Sequence, residues 1–201
     1  MHKLGCQGLL TRSEKEAYIN LFPARIDNWS VVNGKSGKMW KIIRADGTFE
    51  FYRDMKEMVK SCDREDLNTL WQTVQLDFKA GRNFDVKAQE LVADLQRMFA
   101  PNSVDVYWSV SSQEQITSWQ LYTKSGVHHL TIKGGVDLFM LTDKVYPLSP
   151  DVLYGMMTSK LQCEEQTDAA NTLLLSIGGQ LLSKICEDLN HDSKTQKRRR
   201  V

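Results

Sequence analysis

The chain has 201 residues, 41% of them hydrophobic and 9% aromatic, which is enough to bury one sizeable core, or two small ones sharing an interface, and too apolar for disorder throughout. Its 26 Lys+Arg against 25 Asp+Glu give a formal charge of +1, yet Lys194, Lys197, Arg198, Arg199 and Arg200 crowd the C-terminus, and without these five 21 cations face 25 anions. That balance argues against a basic nucleic-acid-binding surface spread over the whole body.

No apolar run reaches the roughly 18–20 residues of a membrane span, and the start, MHKLGCQGLLTRSEKEAY, lacks the apolar block of a secretory signal. An intracellular protein without a membrane partner is expected. Cys6, Cys62, Cys163 and Cys186 are too scattered for a zinc site or a disulfide framework and read as free thiols.

In chain order, residues 1–25 read as a flexible or helical lead-in, with a helix from Ser13 to Leu21 that Pro23 ends. Three short β-rich runs follow, WSVVN, MWKIIR and FEFYR. Asp46-Gly47 is a hairpin signal, so Met39 to Arg44 pairs with Thr48 to Arg53. Met55, Met58 and Val59 then mark a short helix. In DREDLNTLWQTVQLDFKAG, Asp63 caps a longer one whose apolar face is Leu67, Leu70, Trp71, Val74 and Phe78, with Gly81 as its stop. A further amphipathic helix covers Val86 to Phe99, closed by Pro101.

Val104, Val106 and Trp108 alternate in a mixed segment, and SWQLYTKSG reads as a strand. Val127 to Ile132 and Val136 to Leu141 form a hairpin around a two-residue Gly134-Gly135 turn, which sets Leu130 opposite Phe139. Ser149-Pro150-Asp151 opens a helix to about Leu161 by cap, proline and charge. The last element, about Glu165 to Leu189, carries Ala169, Ala170, Leu173, Leu174, Ile177, Leu181, Leu182 and Ile185, and Gly178-Gly179 predicts a kink or two shorter helices.

The fold class is therefore α+β: antiparallel β-hairpins forming a small sheet with amphipathic helices packed on it. A single domain over residues 26–190 is followed by a basic disordered tail, residues 191–201. Trp40, Trp71, Trp119, Phe99, Phe139 and Leu174 are the expected core.

His128 and His129 form the most conspicuous candidate site. Successive strand residues point to opposite faces, so the two imidazoles cannot converge on one ligand. Pairing of His129 with Cys62 or Cys163 as nucleophile lacks a recognisable context, and a hydrolase using either histidine is the least favoured reading. NGKSGK lacks phosphate-loop spacing. Asp137 and Asp143 lack the partners a metal site needs. No cofactor and no small-molecule ligand is indicated, and no catalytic residue is assigned.

Trp40, Phe49, Phe51 and Tyr52, interleaved with Lys38, Lys41, Arg44 and Arg53, have the residue types of a base-stacking sheet, although core packing is the favoured account of them. The nucleic-acid candidates are thus Trp40 and Tyr52 together with Lys194, Lys197, Arg198, Arg199 and Arg200, whose charge would attract RNA, DNA or a nuclear-import receptor, with an inert terminus as the equal alternative.

The motifs WKIIRADGT, DREDLNTLW, LQRMFAP, SWQLYTKSGVHHLTI, FMLTDKVYPLS and KLQCEE, in this order, resemble a segment of plant copia-type LTR retrotransposon polyproteins, abundant in plants of the composite family. The likeness spans about Asp27 to Leu175. It implies a mobile-element origin and a region separate from protease, integrase, reverse transcriptase and ribonuclease H. It carries over no catalytic residue, and none of their motifs is present. Protein–protein interaction or assembly, including self-association, is the function this implies, with accessory nucleic-acid binding through the tail as the alternative.

Overall fold

The computed structural model describes residues 24–35, 37–108, 116–163 and 168–199, with the side chains of the last helix described as far as residue 189. The expected lead-in helix lies outside these residues. The architecture is α+β: among the described residues there are five helices and two sheets, one of three antiparallel strands and one of four mixed strands.

The first sheet runs β1 (Ile26–Gly34), β2 (Gly37–Arg44) and β3 (Phe49–Tyr52) in sequence order. Its β2–β3 turn forms at Asp46-Gly47, where Asp46 accepts from the Thr48 amide at 2.9 Å and Gly47 adopts φ 84°. Three helices follow, each started by a capping aspartate: α1 (Met55–Ser61) by Asp54, α2 (Arg64–Lys79) by Asp63 and α3 (Val86–Phe99) by Asp85. Each carboxylate accepts from the N–H three residues on, satisfying one of the first-turn donors that have no partner within the helix.

One turn of 3₁₀ helix, Val106–Trp108, stands where the alternating valines lie. The second sheet then forms from β4 (Ile116–Tyr122), β5 (Val127–Ile132) and β6 (Val136–Leu141). α4 (Pro150–Thr158) starts from Ser149, whose hydroxyl accepts from the Val152 amide. β7 (Leu161–Cys163) and α5 (Asp168–Arg199) complete the chain.

The second sheet has the order β6-β5-β4-β7, with β7 parallel to β4. It divides two apolar clusters. Tyr122, Val127, Phe139 and Leu141 face one way, into a core shared with the first sheet and α1–α3. Trp119, Leu121, Leu130, Ile132, Leu138 and Met140 face the other way, into a core shared with α4 and the first half of α5. Tyr146 joins the layers: its hydroxyl donates to the Met98 carbonyl at 2.6 Å and accepts from the Leu141 amide at 2.8 Å.

Arg44 and Asp66 lock the first sheet to α2. Their paired contacts of 2.7 and 2.8 Å are buried, and Arg44 also reaches Glu50 at 3.1 Å and the Ala24 carbonyl at 2.8 Å. These contacts push the guanidinium pKa further above its ordinary value, the hydrogen bond to Asp66 contributing most.

Five expectations are corrected. The β5–β6 register sets Leu130 opposite Leu138 and Phe139 opposite His129. The loop is three residues, Lys133-Gly134-Gly135, because Ile132 pairs with Val136, and both glycines take positive φ. α4 stops at Thr158, and the next residues instead pair with β4. Of the two outcomes expected at Gly178-Gly179, a kink or two shorter helices, the second does not occur: α5 is one helix, since packing by Leu173, Ile177 and Leu181 on the same core outweighs the roughly 1 kcal/mol per glycine of poor propensity. It also continues to Arg199, into the segment expected to be a disordered tail.

Of the expected core, Trp40, Trp119 and Phe139 are buried, whereas Trp71, Phe99 and Leu174 are partly buried at its margins. Trp71 and Phe99 stack with centroids 5.7 Å apart.

Candidate functional site

His128 and His129 point to opposite faces of β5, as strand geometry requires. His128 Nδ1 accepts from the Trp119 indole N–H at 3.2 Å in the α4/α5 core. Burial pushes its pKa down to about 3, so the ring is neutral.

His129 faces the other core, its side chain fully buried and stacked on Phe139 with centroids 4.3 Å apart. Its Nε2 lies 2.7 Å from Asp137 Oδ1, and Thr131 donates to the same oxygen at 2.9 Å. Burial lowers the His129 pKa, and the Asp137 hydrogen bond works against that shift. Nδ1 has no partner among the described residues.

The arrangement resembles a base with its orienting carboxylate, but the buried imidazole presents neither nitrogen to a substrate. Cys62 is directed elsewhere: its thiol donates to the Tyr52 hydroxyl at 3.7 Å, and burial pushes it up to about 12, far from a thiolate. Cys163 lies on β7 opposite Leu121. Asp137 and Asp143 do not converge, because Asp143 pairs with Arg64 at 2.8 Å. Among the described residues no three His, Cys, Asp or Glu side chains gather in a form that could hold a metal ion.

A cleft of about 500 Å³ lies between β2, α1 and α3, lined by Trp40, Met55, Lys87, Glu90, Asp94 and Arg97 among others. Burial raises the Asp94 carboxyl to about 6, with Arg97 partly offsetting the effect and Glu90 adding to it. This is the most perturbed carboxylate of the described residues. The neighbouring Glu90 is held by Lys87 at 2.6 Å, and no Ser, Thr or Cys lines the cleft among the described residues, so the arrangement defines no reaction.

Trp40 and Tyr52 are not available to stack bases. Both lie on the inner face of the first sheet, 1% and 4% exposed, and the Trp40 indole donates to the Lys87 carbonyl at 2.8 Å. Alternation along β2 and β3 instead turns Phe49 and Phe51 outward, edge to face at 5.3 Å, with Lys41 Nζ 4.1 Å above the Phe49 ring. Lys38 and Arg53 are paired with Asp85 and Glu57. Lys194, Lys197, Arg198 and Arg199 fall on the last turns of α5, and Arg200 lies outside the described residues.

Four of the exposed large apolar side chains among the described residues lie on α5. Ala170, Leu173 and Ile177 are buried and Leu174 and Leu181 are half-buried against the body. Leu175, Leu182, Ile185 and Leu189 remain 79%, 65%, 42% and 65% exposed. At about 100° per residue the two sets form stripes roughly a quarter-turn apart on one helix. The apolar positions read from sequence for this segment carry no face assignment and leave out Leu175 and Leu189; the signal was available, because the apolar positions of the segment exceed what a single face of this length uses.

No family model matches the chain, and neither curated proteins nor solved structures include a match to it. Among the described residues no helix is long and apolar enough to cross a membrane.

Proposed function

We propose that this chain is a non-catalytic, retrotransposon-derived domain that acts in protein–protein interaction or assembly. The observation that carries the reading is the row of four exposed aliphatic residues, Leu175, Leu182, Ile185 and Leu189, on a helix whose other apolar face is already used by the core. Exposed apolar side chains aligned on one helix face mark an interaction site when they are not part of the fold's own packing. The ordered likeness to copia-type polyprotein segments supports the origin. The inaccessibility of both histidines and the inert Cys62 thiol support a non-catalytic role.

The test is in-cell cross-linking of the tagged full chain, read by mass spectrometry, beside Leu182→Glu. Species joined through Lys184 that disappear in the variant are expected. An identical cross-link pattern in the two proteins overturns the reading.

Accessory nucleic-acid binding rests on a different observation, the concentration of Lys194, Lys197, Arg198 and Arg199 on one helix end, which also fits a nuclear-import signal. It requires RNA or DNA affinity that falls steeply with salt and is lost on truncation after residue 192.

A further inference from the structure

We infer that α5 pairs with α5 of a second copy of this chain, in antiparallel orientation, through the stripe formed by Leu175, Leu182, Ile185 and Leu189. The inference rests on the interaction-module reading and names its partner.

The spacing comes first. Leu175, Leu182 and Leu189 recur every seven residues, and Gly178 and Ile185 fall three residues after the first two. This is the a/d pattern of a two-helix seam, where a side chain of one helix enters a hole on the other. A strip with this repeat is complementary to another strip with the same repeat, and a second copy supplies one at no cost in new sequence.

Orientation follows from the glycines. In an antiparallel pair, a positions of one helix face d positions of the other. Leu182 then meets Ile185 of the second copy and Leu189 meets Gly178 of the second copy, each twice in a two-fold-symmetric seam, while Leu175 falls opposite position 192, an aspartate, and marks the polar limit of the seam. A Cβ added at Gly179 would meet nothing within 4 Å, and one at Gly178 would meet only Met157 Cε at 3.7 Å. The glycines therefore leave a hollow on an otherwise unbroken helix, into which the leucine of the opposing helix fits. A parallel pair would set Gly178 against Gly178 and leave that layer void, so that the atoms lining it forgo their dispersion attraction.

Charge selects the same orientation. A parallel pair would hold both sets of Lys194, Lys197, Arg198 and Arg199 side by side at the roughly 8–10 Å of packed helices. The antiparallel pair, centred between Ser183 and Lys184, separates the two basic ends by roughly 40 Å, several times the Debye length of about 8 Å at physiological salt. The four exposed side chains amount to about two and a half fully exposed ones, roughly 250 Å² of aliphatic surface per copy. That is well below the roughly 800 Å² per partner of a standard interface, so the pair exchanges reversibly and depends on concentration.

The test uses the full chain in analytical ultracentrifugation from about 1 µM to about 500 µM, the range that resolves weak association. The expected result is a monomer–dimer equilibrium whose dissociation constant rises at least about 100-fold in Leu182→Glu and in Ile185→Glu. Both sites are exposed in the monomer, so an unchanged far-UV circular dichroism spectrum checks that the fold survives. For orientation, Thr195→Cys is spin-labelled in a background of Cys6→Ser, Cys163→Ser and Cys186→Ser. Electron double resonance should give a label separation of about 35 Å in the antiparallel dimer and under about 20 Å in a parallel one.

A monomer at every concentration, a dimer indifferent to both glutamates, or the short label distance overturns the inference. A monomeric wild type that still shows seam-dependent cross-links to another protein in cells removes self-association and keeps the module. A monomer without such cross-links removes both.

Discussion

Replacing Asp66 by alanine tests whether the first sheet and α2 depend on one buried ion pair. Arg44 and Asp66 side chains are 9% and 6% exposed, joined by two contacts. Removing the carboxylate leaves a guanidinium that water reaches poorly, a change that typically costs about 3–5 kcal/mol. Arg44 keeps Glu50, whose side chain is 43% exposed, and the Ala24 carbonyl, which places the loss near the lower end, about 3 kcal/mol. With a urea m-value of about 2 kcal/mol/M, the unfolding midpoint falls by about 1.5 M.

Two companion variants make the number diagnostic. Asp143→Ala breaks the solvent-exposed pair with Arg64 and should cost less than about 1 kcal/mol. The apolar double replacement Arg44→Met with Asp66→Leu should recover most of the loss, since desolvation of the pair offsets much of its attraction. An Asp66→Ala midpoint equal to that of Asp143→Ala would refute the reasoning.

Two further outcomes concern the titrating groups near the sheet interface. The fold holds His128 near 3, below the ordinary value of 6.5, so its contribution is complete above pH 6.5 and is lost as pH falls toward 3. Urea titrations between pH 7 and pH 4.5 should therefore show His128→Gln losing less stability than the wild type over that interval, by up to about 1.4 kcal/mol per pH unit. Asp94 has the opposite sign: its raised value of about 6 gives a contribution present below 3.8 and lost as pH rises through 6. Asp94→Asn should then gain about 1–2 kcal/mol at pH 8 and little at pH 4, and an equal gain at both values would show that burial of the charge is not its cause.

Local signals were legible wherever the chemistry is local. Asp63 and Ser149 cap their helices as their positions predict, because a cap needs only its own side chain and an N–H three residues away. Asp46-Gly47 likewise turns β2 into β3 without help from elsewhere. The opposed directions of His128 and His129 follow from strand geometry alone, whatever packs on either face.

What depended on the rest of the molecule could not be read in this way. Trp40 and Phe49 have similar composition around them, yet Trp40 faces the core and Phe49 faces out, since only the helices packed on the sheet decide which side is covered. The β5–β6 register shifts by one residue with a loop of three rather than two, a choice that GG permits either way. β7 exists because β4 offers a free edge to Leu161, Gln162 and Cys163, three residues with no strand pattern of their own. On α5 the sequence by itself showed apolar residues at helical spacing on both sides of Gly178-Gly179. The tertiary structure decided which of them the body covers, because α4 and the second sheet reach one side of that helix and leave Leu182, Ile185 and Leu189 in solvent.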